Sequence, residues 1–118
     1  MLRTRSIWTK GALRLLVLKE KEVNGDRWLK LRLPTRPNNS SGWVPASRTR
    51  MISNPWLVRV NVKKKRVRIM KRGREMLEFR AVVGAPATPT PRGLFAIYER
   101  VRQPDPSGFL GPFALHLT

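Results

Sequence analysis

The sequence predicts an all-β protein, and three observations carry that expectation. Glycine and proline punctuate the chain throughout, with 8 Gly and 10 Pro among 118 residues. The segments between them are short and rich in Val, Leu and aromatic residues, the composition of strands rather than helices. In several of them apolar and charged residues alternate one for one, the period of a pleated strand.

Taken in order, the N-terminal region carries Arg3, Arg5 and Lys10 and then reads ALRLLVLKEKE. Arg14 interrupts its apolar run and no small-residue cleavage site follows, so no signal peptide is visible. In RWLKLRLP, Leu29, Leu31 and Leu33 alternate with Lys30 and Arg32, which puts the leucines on one face of a strand. PTRPNNSSG, residues 34–42, is a turn cluster: proline fixes φ, while Asn and Gly tolerate left-handed conformations. WVPAS then resumes an extended segment. A turn at residues 52–55 separates this β group from a second one.

In WLVRVNV, Val58, Val60 and Val62 alternate with Arg59 and Asn61. KKKR, residues 63–66, reads as a charged hairpin tip, and Val67 and Ile69 as the return strand. KRGRE around Gly73 is another tight turn. Leu77, Phe79, Ala81 and Val83 then share a face opposite Glu78 and Arg80. Three antiparallel strands joined by short hairpins result. After the bend GAPATPTPRG, Phe95 and Ile97 alternate with Ala96 and Tyr98 in a fourth strand. QPDPSG is a turn, and FALHL is a further strand.

Composition bounds the chemistry. A hydrophobic fraction of 41% argues against a wholly disordered chain. With 25 basic and 7 acidic residues the net charge is +18, which attracts polyanions without choosing among nucleic acid, anionic lipid and an acidic wall polymer. The same charge also suits solvated, cationic strand faces. KKKRVRIMKRGR reads better as a hairpin with a cationic outer face than as a nucleic-acid patch, because no aromatics are interleaved to stack bases. Nucleic-acid binding through non-specific charge stays open. The chain has no cysteine, which excludes disulfides, thiolate zinc sites and a cysteine nucleophile within it. One histidine, His116, cannot build a multi-histidine metal site, and the seven carboxylates show no metal-ligand spacing. No metal and no cofactor are expected. No stretch approaches the ~20 apolar residues of a membrane span.

Two segments resemble known arrangements. RLLVLKEKEVNGDRWLKLRLPTRPNNSSGWVPASRTRM is similar to a small bacterial SH3-like β module, with its strand, Asn24-Gly25 turn, RWLKLRLP strand and GWVPAS. WLVRVNVKKKRVRIMKRGREMLEFRAVVGAP, TPTPRGLFAIYERV and LGPFAL resemble the first half of an L,D-transpeptidase catalytic domain of the YkuD type. The implied architecture is an SH3-like module over residues 12–54, followed by the first strands of an L,D-transpeptidase-like β domain over residues 55–118. That second part is incomplete. An incomplete sheet implies unpaired strand edges, above all near FALHLT.

The resemblance implies cross-linking of peptidoglycan. In the family a cysteine thiolate attacks the carbonyl after the third residue of a donor stem peptide, expelling the terminal D-residue and forming a thioester. An acceptor amine then resolves it, with a histidine activating the thiol and donors holding the oxyanion. The family's Ser-His-Gly-Cys motif is absent here. His116 is followed by Leu117 rather than Gly and does not match a motif histidine, and none of the six serines has a base identifiable from the sequence. The expectation is therefore a truncated enzyme portion, inactive alone, with no catalytic residue of its own.

The same resemblance places Thr88, Thr90, Pro91 and Gly93 in a loop beside the catalytic cleft. Trp28, Trp43, Arg48 and Arg50 are candidate wall-binding residues, although both tryptophans also suit a small core. The implied partners are peptidoglycan stem peptides or acidic wall polymers, in the extracytoplasmic cell envelope. A basic β module that binds wall or nucleic acid is the alternative to an enzyme portion.

Overall fold

Short strands joined by hairpins and loops make up nearly all of the regular structure. The structure is a computed structural model that describes residues 5, 6 and 8–118. Arg3 of the basic N-terminal region lies outside those residues. The strands are β1 (Val17–Val23), β2 (Asp26–Arg32), β3 (Ser41–Pro45), β4 (Trp56–Asn61), β5 (Arg66–Lys71), β6 (Arg74–Arg80), β7 (Ile97–Arg102) and β8 (Phe113–Leu117). A 3-10 turn, Ala46–Arg48, follows β3. The fold is all-β, built of small antiparallel sheets. It falls into two compact units, one of residues 1–50 and 93–118 and the other of residues 51–92.

In the first unit β1, β2 and β3 form a three-stranded antiparallel sheet in that order. Asn24 (φ 51) and Gly25 (φ 81) connect β1 to β2, and two consecutive left-handed residues are what the right-handed twist of a two-residue hairpin demands. The alternation of RWLKLRLP is realised: Leu29 is fully buried and Leu31 nearly so, while Leu33 just beyond β2 is half-buried. Burying Leu29 stabilises the sheet by roughly 1.5–3 kcal/mol. The 34–42 turn cluster closes on itself: Leu33 N–H donates to Ser40 O at 2.9 Å, and Arg32 Nη1 donates to Asn39 O at 2.6 Å.

Near its start β1 carries a bulge. Val17 pairs with Leu31, but Lys19 pairs with Lys30, so Leu18 is an extra residue. After the bulge, Lys19 and Lys21 stand opposite Lys30 and Trp28, while Glu20 stands opposite Leu29. Cross-strand partners share a face. The run Lys19-Glu20-Lys21-Glu22 thereby sends its lysines to one side and its glutamates to the other. On the glutamate side Arg27 pairs with Glu20 at 2.8 Å.

Also in this unit, β7 and β8 form a two-stranded antiparallel sheet. The fourth strand of the sequence reading begins at Ile97, later than the expected start at Phe95. Phe95 lies outside it, and Ala96 is tied instead to Thr118, whose N–H donates to Ala96 O at 3.0 Å. A bulge between Ile97 and Glu99 brings Glu99 opposite His116. Glu99 is only 5% exposed.

The second unit is the meander β4–β5–β6. Lys65 (φ 52) sits in the turn after β4, and Arg72 (φ 47) with Gly73 (φ 79) turns β5 into β6. Register places Val58, Val60, Val67, Ile69, Leu77 and Phe79 on one face. Of these only Val67 is buried, at 8% exposure. The other face is charged: Glu78 pairs with Arg68 and Arg66, and Glu75 with Arg68. The β6 strand ends at Arg80, so Ala81 and Val83 do not extend it, and Val82 is 96% exposed. The reason is register: Arg80 pairs with Arg66, the first residue of β5, and just beyond it Ala81 N–H donates to Lys65 O.

Among the described residues, no helix is long and apolar enough to cross a membrane.

Candidate functional site

The Thr-Pro loop leaves the second unit's sheet through Gly84. Two bonds fold it: Thr88 N–H donates to Ala85 O at 2.9 Å, and Gly84 N–H donates to Thr90 Oγ1 at 2.7 Å. Gly84 lies so close to the returning chain that a Cβ there would meet Thr88 O at 2.1 Å and Thr90 N at 2.8 Å. Only glycine permits that approach. The loop is thus a closed bend, with Thr90 turned inward to hold it and half-buried, and with Thr88 and Pro91 exposed. Gly93 belongs to the other unit. Its φ of 137 lies in a region reserved for glycine, beside Asn39 and Phe95. Sequence reasoning named the two threonines and passed over Gly84 as a site residue, although VVGAP was its signal.

Trp28 and Trp43 come together on one face of β1–β2–β3. Trp28 stands between Lys21 and Pro45, and Trp43 stands opposite Lys30. Both rings are half-buried. Lys21 Nζ lies 4.2 Å from the Trp43 ring centre, a cation–π contact. Arg48 ends the 3-10 turn and Arg50 follows it; both are exposed and stand outside the strand that carries Trp43.

A third group joins residues far apart in the chain. Ser6 Oγ donates to Glu99 Oε1, as does the Thr9 N–H at 2.8 Å. Glu99 Oε2 is buried and has no hydrogen-bond partner among the described residues. Burial pushes the Glu99 carboxyl up. The Ser6 and Thr9 donors, together with the charge of His116, outweigh it and hold the group below the usual glutamate range. His116 is a strand residue of β8, packed edge-on against Trp8 and Tyr98 with ring centres 6.1 Å away in each case. In the sequence Ser6 was one of six serines with no identifiable base; its carboxylate partner lies 93 positions away. No group of three or more His, Cys, Asp or Glu among the described residues is placed to hold a metal ion.

In chain order the all-β structure carries a meander, a glycine-pinned Thr-Pro bend and a following antiparallel strand pair. A family model described as the L,D-transpeptidase catalytic domain, YkuD, matches residues 55–116, more than half of the chain. The chain belongs to the L,D-transpeptidase catalytic-domain family. The matched segment runs from the start of β4 into β8, and β1 to β3 precede it. No curated protein and no solved structure matches the chain.

Proposed function

We propose that these residues supply framework and wall contacts to a peptidoglycan L,D-transpeptidase of the cell envelope, and that they carry out no acyl transfer alone. The family match over residues 55–116 is the observation behind this reading. The family's reaction proceeds through a thioester on a cysteine, and a thiolate is the nucleophile it needs. These 118 residues contain no cysteine. Thr88, Thr90 and Pro91 then serve as a rigid border to the stem-peptide cleft. The Gly84–Thr90 bond supports that role, since a pinned loop positions a peptide at lower entropic cost than a mobile one. Residues 12–54 act as an SH3-like accessory module, with Trp28, Trp43, Arg48 and Arg50 toward the wall.

The test is a cross-linking assay on tetrapeptide muropeptides read by mass spectrometry. The purified chain is expected to give no cross-linked dimer, and a dimer formed by it overturns the assignment. Sedimentation with purified peptidoglycan checks the accessory role. The Trp28→Ala/Trp43→Ala double variant should sediment less than the parent chain. Equal sedimentation by the folded variant removes both rings from the contact.

A further inference from the structure

We propose that the lysine face of the β1–β2–β3 sheet is a binding surface for an anionic wall polymer of repeating phosphodiesters, recognised by charge rather than by ring stacking. The choice of a wall polymer rests on the envelope reading above; the surface itself rests on register and charge.

Lys19 and Lys21 project from the same side of β1, roughly 6.8 Å apart for two residues of antiparallel rise. Lys30 joins them from β2, directly opposite Lys19. Lys19 and Lys21 are exposed, and Lys30 is half-buried. Among the described residues none of the three is in an ion pair, whereas Arg27 on the opposite face is paired with Glu20. Glu20 and Glu22 are turned to that opposite face by the strand alternation, so the one carboxylate that β1 and β2 leave on the lysine side is Asp26, at the hairpin end. Like charges directly opposite each other destabilise a sheet. Lys19 facing Lys30 is therefore a local cost that an arriving anion relieves.

The rings decide the kind of anion. A surface that binds single-stranded nucleic acid offers bare aromatic faces for bases to stack on. Here the ammonium of Lys21 covers Trp43 at 4.2 Å, and Trp28 is half-buried beside Pro45. What the face presents outward is a row of ammonium groups on an aromatic floor. A flexible chain with one negative charge per repeat and no bases matches it.

The experiment measures binding of the full chain to dye-labelled poly(glycerol phosphate) by fluorescence anisotropy at several salt concentrations. The parent chain should bind, and binding should weaken as salt rises. Lys19→Gln/Lys21→Gln should weaken it by roughly tenfold. Lys63→Gln/Lys64→Gln/Lys65→Gln removes one charge more from the second unit's hairpin tip and should cost less than about threefold. Equal losses from the two variants overturn the proposal, because net charge alone would then explain binding. So does tighter binding to duplex DNA at the same phosphate concentration. Sedimentation with peptidoglycan stripped of anionic polymer separates this surface from the stem-peptide reading: binding there, with none to poly(glycerol phosphate), overturns the present inference alone.

Discussion

Gly84 and Glu99 show how single residues set the local chemistry. At Gly84 an added methyl has no room, since the atoms it meets are backbone. Gly84→Ala should therefore open the 84–90 bend and destabilise the second unit by about 1–3 kcal/mol, read as a lower thermal midpoint. Thr90→Val should cost less, because the bond it removes is solvent-exposed. Glu99 carries a pH dependence. Its carboxyl is held below the ordinary range in the folded chain, so the unfolded chain binds the proton more readily. Its contribution is complete above the ordinary glutamate range and fades as pH falls through the lower folded value. Thermal melts from neutral pH down to about 3 should show that loss. Glu99→Gln should lower stability at neutral pH and flatten the curve below the glutamate range; an unchanged acid limb would contradict the role.

At the scale of elements, what was legible in the sequence was local. Leu29 and Leu31 declared their face by alternation, and Asn24-Gly25 and Gly73 declared their turns, because a hairpin's conformational demand sits on adjacent residues. The end of β6 was not legible: Ala81 and Val83 keep the strand period, but their pairing depends on where β5 begins. The late start of β7 and the Ser6–Glu99 contact depend likewise on partners distant in sequence. In the site, the Thr-Pro loop was visible as composition, whereas the closeness of Gly84 to Thr88 was not. The two tight hairpins also differ in a testable way. Asn24-Gly25 and Arg72-Gly73 have nearly the same φ pair, yet Arg bears the left-handed penalty that Asn largely avoids. Arg72→Asn should raise stability by roughly 0.5–1 kcal/mol, measured by denaturant midpoint. A lower midpoint would show that the Arg72 side chain matters more than its backbone.

Across the whole molecule, charge outweighs every other collective property. A net +18 on 118 residues repels itself in the folded state. The close ion pairs among the described residues, all at exposed side chains or a half-buried Glu78, do little to offset it. The thermal midpoint should therefore rise as sodium chloride is added from low ionic strength, as screening shortens the range of repulsion. A midpoint that falls would mean that the ion pairs outweigh the repulsion. The exposed apolar side of the meander adds a second collective property, a preference for association that the same repulsion opposes.

The bulge at Leu18 acts as a phase shifter. Val17 and Lys19 have the same parity in the chain, yet one aligns with Leu31 and the other with Lys30. One inserted residue thus lets a single strand serve the leucine side first and the lysine side afterwards. Pairing Leu18 regularly, with no bulge, would leave one phase throughout: either Val17 would lie among the lysines, or Glu20 and Glu22 would rotate beneath the tryptophans and reverse the sign of that surface. Deleting Leu18 would instead iron out the bulge and keep Val17 on the leucine side and Lys19 and Lys21 on the lysine side. The sidedness of the sheet is written in where the bulge falls before the Asn24-Gly25 turn as much as in the identity of the residues.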